Sequence, residues 1–193
     1  DGTIAILKGN LAPEGAVDKH SAVPKEMFKA TLRARPFNCE EDAIAAVLHH
    51  DIQPGDAVII RYEGPKGSGM PEMFYTTEAI SSDPQLSASI ALITDGRFSG
   101  ASKGPAIGHV SPEAPDGGPI ALVEENDLIE IDIPRRVLRI CGINGEMKTE
   151  AEIAAVLEQR RQNLPAFESK YKSGVLKLFA EHAVSPMKGG YMK

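Results

Sequence analysis

Two glycine-rich stretches gather the side chains of this sequence that are best suited to chemistry. The first, Arg61 to Met73, carries Glu63, Lys66 and Glu72, and the second, Thr94 to Gly104, carries Arg97, Ser99 and Ser102. Each follows a short apolar run, where a rigid strand fixes the root of a loop, and each has glycines that let a ligand approach where a Cβ would stand. A carboxylate such as Glu72 suits a hard cation such as Mg²⁺. Alternatively, beside a short helix starting at Pro71, it complements the helix dipole. Ser99 is either a plain loop serine or a group that acts on a substrate, since no GxSxG elbow surrounds it and no spacing pairs it with a particular histidine. His109, in Ile107-Gly108-His109-Val110, reads as a hydrogen-bonded core histidine, and Lys66 as a solvated loop lysine. His20, His49, His50 and His182 have no metal-like spacing and read as surface or packing residues. Gly64, Gly67 and Gly69 match neither a Walker loop nor GxGxxG, which argues against a nucleotide site.

Strands and helices must hold these loops. Thr3 to Lys8 reads as a strand, with a second near Ala16-Val17, and Ala57 to Tyr62 as a buried β-branched strand after the turn Pro54-Gly55-Asp56. Asn38 followed by Glu40-Glu41-Asp42 and the stripe Ile44, Val47, Leu48 predicts an amphipathic helix ending near His50. Ser89 to Thr94, Ile120 to Val123, Leu128 to Ile133 and Val137 to Ile140 read as further strands, the last ones antiparallel. Thr149 with Glu150 and Glu152 starts the clearest helix, over Ile153, Val156 and Leu157 to before Pro165. Residues 1–193 are expected to form a single mixed α/β domain with a helical C-terminal extension over 145–193, whose tail offers apolar residues to a partner.

Composition excludes several functions. With 193 residues of which 42% are hydrophobic, the chain can bury a core and is not disordered. A net charge of -6, with 27 acidic against 21 basic residues and no dense Lys/Arg stripe, argues against nucleic acid as a partner. No apolar run approaches the roughly 20 residues that span a bilayer, and no signal peptide opens the chain, so a cytoplasmic protein with no membrane partner is expected. The chain enters a strand almost at once from Asp1, which is expected of a fragment. Cys39 and Cys141 are far apart with no CxxC or Cys/His pattern. They read as ordinary thiols of a reducing compartment, and an iron-sulfur cluster would have to be held elsewhere.

Four literal blocks then stand in order: Leu7-Lys8-Gly9-Asn10-Leu11-Ala12-Pro13; Arg61-Tyr62-Glu63-Gly64-Pro65-Lys66-Gly67 with Gly69-Met70-Pro71-Glu72-Met73; Leu92-Ile93-Thr94-Asp95-Gly96-Arg97-Phe98-Ser99-Gly100; and Gly108-His109-Val110-Ser111-Pro112-Glu113-Ala114 with Gly117-Gly118-Pro119-Ile120. Together they resemble the carboxy-terminal domain of the family that unites dihydroxy-acid, phosphogluconate and aldonate dehydratases. The resemblance implies a swivelling β/β/α domain, a barrel-like mixed β core with surrounding helices. It implies a hydro-lyase that dehydrates 2,3-dihydroxy acids to 2-oxo acids, as in branched-chain amino acid biosynthesis, with a sugar-acid dehydratase as the alternative. It also implies Glu72 as a Mg²⁺ ligand, Ser99 as catalytic base, and Arg97 and Ser102 as contacts to the hydroxy-acid substrate. An amino-terminal domain, absent here, would hold the iron-sulfur cluster and most Mg²⁺ ligands, so the domain alone is expected to be inactive, and the full enzyme a homodimer or larger homo-oligomer. Lys66-Gly67-Ser68-Gly69 departs from the branched-chain pattern and leaves the substrate open. A non-catalytic binding module and a hydrolase using Ser99 and His109 are the competing readings.

Overall fold

A computed structural model describes residues 2–100, residue 102 and residues 104–193; Ala101 and Lys103 of the second loop, and Asp1, lie outside the described residues. In chain order the elements are β1 (Ala5–Leu7), β2 (Gly15–Asp18), β3 (Lys29–Phe37), α1 (Glu40–Leu48), β4 (Asp56–Ile60), α2 (Pro65–Ser68), β5 (Glu72–Met73), α3 (Tyr75–Ser81) and α4 (Pro84–Ser89). They continue with β6 (Ala91–Thr94), β7 (Arg97–Phe98), β8 (Ala106–Ser111), β9 (Leu128–Asp132), β10 (Val137–Ile143), β11 (Glu146–Met147), α5 (Glu150–Asn163) and α6 (Gly174–His182).

Among the described residues nine strands form one sheet in the order β1-β2-β8-β6-β4-β3-β9-β10-β11. Its middle, β8-β6-β4-β3, is parallel, and its flanks are antiparallel. The sheet curls until its two ends meet beyond β1: Lys8 N–H donates to Arg136 O at 2.9 Å, and Leu138 N–H donates to Lys8 O at 2.9 Å. Asn10 extends this seam with its side chain, donating to Ile140 O at 2.9 Å and accepting from Ile140 N–H at 2.7 Å. Gly9 is needed there, because a Cβ at that position would overlap the Leu138 carbonyl. The first literal block therefore closes the barrel.

Alternation along the central strands explains their apolar runs. Ala57 and Ile59 of β4 and Ala91 and Ile93 of β6 point into the barrel with Leu7, Ile107, Ile129 and Leu138. Val58, Ile60 and Leu92 point out and are covered by Ala43, Ala46 and Val47 of α1, Ile80 of α3 and Leu86 of α4. Strands covered on both faces lose the polar alternation of a one-sided sheet. The fold is the barrel-like mixed β core with surrounding helices that the resemblance implies.

Three local expectations are corrected. Pro71 starts no helix, since residues 72–73 form β5 and the nearby helices start at Pro65 and Tyr75. Ile120 to Val123 is a 3₁₀ turn over Pro119–Leu122, because Pro119 lacks the N–H a central strand needs and sits well at a first helical position. Helix α1 is entered from Cys39; Asn38 instead accepts from Arg61 Nε at 2.6 Å.

Candidate active site at the ends of two parallel strands

Strands β4 and β6 run parallel with Ile60 opposite Thr94, so both glycine-rich loops leave the same end of the barrel. That end, beyond the carboxyl ends of parallel strands, is where loops of such sheets commonly gather a ligand. Three buried acids lock the loop roots together. Asp95, completely buried, accepts from Tyr62 N–H at 3.1 Å, Glu63 N–H at 3.0 Å and Ala114 N–H at 2.8 Å. It thus ties the second loop to the first and to the fourth block. Burial pushes its carboxyl up to about 6 against the pull of those three N–H groups.

Glu113, also completely buried, accepts from Lys66 N–H at 3.0 Å and Gly67 N–H at 3.3 Å. Loss of hydration, followed by the nearby Asp95, pushes it up to about 8. Its carboxylate lies against Gly64, where a Cβ would collide with it. Glu63 accepts from Glu40 N–H at 3.2 Å and from the Ser68 hydroxyl, and burial raises it above the usual carboxylate range. Sequence reasoning set Glu63 beside Glu72 as a candidate for chemistry; the structure turns it inward as a tether. Asp95 and Glu113 were not singled out, because burial is a property of the assembled loops.

Beyond these roots, β5 and β7 pair in parallel, with Glu72 opposite Arg97 and Met73 opposite Phe98. Met73 is fully buried and anchors the pair, while Arg97 Nε donates to Met70 O at 2.9 Å. The two candidate loops are therefore neighbours, and Glu72 sits in β5, just before the Phe74 from which α3 is entered. It is exposed.

Arg97, Ser99, Ser102, His109 and Lys19 line one cavity of about 290 Å³. Glu72 stands outside it, beside Arg97. Ser102 N–H donates to Ser99 O at 3.1 Å, folding the serine loop into a turn. The Ser102 hydroxyl is buried with no hydrogen-bond partner among the described residues, which is costly unless a ligand supplies one. His109 has φ 56, and its backbone N–H donates to Gly96 O at 2.8 Å. Burial and then the Arg97 charge push its imidazole below the ordinary histidine value, so at neutral pH it faces the cavity uncharged. Lys66 is ion-paired with Asp116 and is not the free loop lysine expected from the sequence.

The sequence model of the family described as dihydroxy-acid/6-phosphogluconate dehydratase C-terminal matches residues 1–190. The chain belongs to this family. A dihydroxy-acid dehydratase of Agathobacter rectalis is 51% identical over 193 residues, covering 99% of this chain and 32% of the relative. One of Oleidesulfovibrio alaskensis is 51% identical over 193 residues, covering 100% and 33%, and one of Methanothrix thermoacetophila 47% identical over 194 residues, covering 100% and 33%. This member of the family thus spans about a third of the length of the curated relatives it matches.

Among the described residues no three His, Cys, Asp or Glu side chains gather as a metal site. Glu72 fits a divalent hard cation as one exposed oxygen donor, leaving the other ligands to come from elsewhere. The thiols do not fit a cluster: burial pushes Cys39 up to about 11 and raises Cys141, which disfavours the thiolates that iron requires. Among the described residues no helix is long and apolar enough to cross a membrane.

Proposed function

We propose that this chain is the carboxy-terminal domain of a hydro-lyase that converts a 2,3-dihydroxy carboxylic acid into the 2-oxo acid and water. The observation that carries the proposal is the parallel pairing of β5 with β7, which sets Glu72 beside Arg97 and the Ser99 cavity. The reaction removes the proton at carbon 2 and the hydroxyl at carbon 3, giving an enol that tautomerises to the product. Ser99 is the base that takes the proton. A serine hydroxyl is a very weak acid, so the alkoxide needs cations and N–H donors around it; Arg97 and the glycine-rich turn supply them. The buried Ser102 hydroxyl, which has no partner among the described residues, donates to a substrate carboxylate oxygen, and Arg97 pairs with the same group. Glu72 gives one oxygen ligand to Mg²⁺. Held in part by Glu72, such a cation would supply positive charge to stabilise the anion that develops as the proton leaves. A Lewis acid for the departing 3-hydroxyl would come from an iron-sulfur cluster held outside this chain.

Three further parts of the proposal concern context. The relatives bear the name dihydroxy-acid dehydratase, which favours a short branched-chain dihydroxy acid over a sugar acid. Consistent with this, Lys66 and Ser68, where the first loop departs from the branched-chain pattern, are engaged by Asp116 and Glu63 and do not line the cavity. Residues 1–193 act as one domain with 145–193 as its helical extension, completed by the amino-terminal domain in a cytoplasmic homodimer or larger homo-oligomer. The test is Ser99→Ala in the full-length enzyme, with 2-oxo acid formation followed across branched-chain and sugar dihydroxy acids. Loss on the order of a thousandfold is expected for a removed base. Turnover near the wild-type value would overturn the assignment.

A further inference from the structure

The loop bearing Ser99 is also held by the segment that follows β2. Lys19 directly follows β2, and its Nζ donates to Gly100 O at 2.6 Å. Three residues later, Ala22 O accepts from Gly104 N–H at 3.1 Å. The short segment 19–22 therefore grips the serine loop near both ends. Lys19 also lines the same cavity as Ser99, Arg97, Ser102 and His109. Because His109 is held neutral there by burial and Arg97, the lysine and Arg97 are the cations of that cavity among its described lining residues.

We propose that Lys19 is a positioning residue for Ser99. Its ammonium fixes the carbonyl of Gly100, the residue that follows the serine, and so sets the direction in which the serine oxygen faces the substrate. Its charge also favours the ionised serine, as an opposite charge nearby favours any anion. Lys19 transfers no proton itself. An exposed lysine bonded to a carbonyl adds little to stability, so the expected consequence of removing it lies in turnover. The inference rests on the dehydratase reading, with Ser99 as base.

The experiment compares Lys19→Met, Lys19→Arg and Ser99→Ala in the full-length enzyme, with kcat and KM measured across pH. Lys19→Met is expected to lower kcat on the order of 100-fold, the scale of a misplaced reacting group. KM should change little, and the pH limb belonging to the base should move to higher pH. Lys19→Arg, which keeps a donor and the charge, should bring that limb back towards its original position. Wild-type kcat in Lys19→Met, or a rise in KM alone with the pH limb unmoved, overturns the inference. If Lys19→Met does not fold, Lys19→Gln reads the same limb with a polar side chain in place. Should Ser99→Ala turn over normally, it is the base assignment that fails; should it be dead while Lys19→Met is normal, only the role of Lys19 fails.

Discussion

Glu113→Gln tests the buried acids beneath the loops. In the folded chain the Glu113 carboxyl is completely buried beside Asp95 and held at about 8. In the unfolded chain a glutamate titrates near 4.5. Between those values the folded state therefore binds a proton that the unfolded state has released, and stability falls as pH rises, levelling off above 8. The slope is about 1.4 kcal/mol per pH unit and flattens near 8, so from pH 6 to pH 8 this one group removes about 2 kcal/mol of stability. Glutamine stays neutral, and its carbonyl oxygen is able to accept from the Lys66 and Gly67 N–H groups as the carboxyl does. The variant should match the wild type below about pH 4, and exceed it by about 2 kcal/mol at pH 6 and about 4 kcal/mol at pH 8. Urea unfolding followed by circular dichroism is the assay, since the chain contains no tryptophan. Parallel pH curves for the two proteins would refute the burial argument, because a Glu113 that ionises normally gives no such slope.

Further expected outcomes follow from single sites. Asp18, buried in the barrel with neither oxygen partnered among the described residues, is pushed up to about 7 by burial, against the opposing pull of Arg136. Asp18→Asn should therefore gain about 3 kcal/mol on the wild type between pH 5 and pH 8, read by thermal melts across pH. Asn10→Ala removes both side-chain bonds to Ile140 at the barrel seam and should cost about 2 to 4 kcal/mol, lowering the urea midpoint with m unchanged. Arg97→Lys keeps the charge but loses the guanidinium that reaches Met70 O. In the full-length enzyme it should raise KM by roughly tenfold to a hundredfold, and an unchanged KM would remove Arg97 from the carboxylate site.

The sequence made the two loops legible because glycines cluster where apolar strands stop, and that pattern is local. Strand β3 was not legible. Its Lys29, Arg33 and Arg35 look like a solvated surface, yet each finds a carboxylate: Asp132 of β9, Asp56 of β4 and Glu125 of the turn before β9. Strand β8 was hidden because Gly108 and His109 interrupt its apolar run, and His109 has a positive φ inside the strand, with its N–H bonded to Gly96 O. Nothing local marks Asp95 and Glu113 as buried, or places Lys19 against Gly100, because those facts arise only when distant segments meet. Pro71 misled for a plainer reason. A proline suits both a helix start and the entry to an edge strand, and the pairing of Glu72 with Arg97 decides between them.

The literal blocks divide once the contacts are known, and the division matters for reading such motifs. Gly9 and Asn10 close the barrel. Glu63, Gly64, Asp95 and Glu113 bind loop root to loop root, and Arg61 carries the turn after Gly118 by donating to Ala121 O and Val123 O at 2.9 and 2.8 Å. Of the motif residues, only a short set around Arg97, Ser99 and His109 reaches the cavity. A chemical site held within a fraction of an ångström needs more residues to hold it than to react in it. Substitutions in the two sets should therefore separate in the full-length enzyme: Asn10→Ala lowers the unfolding midpoint while leaving KM near its wild-type value, whereas Ser99→Ala abolishes turnover at an unchanged midpoint. A motif residue whose substitution did both would have to sit where the sets touch, and Asp95, four residues before the serine and bonded to three backbone amides, is the one placed to do so.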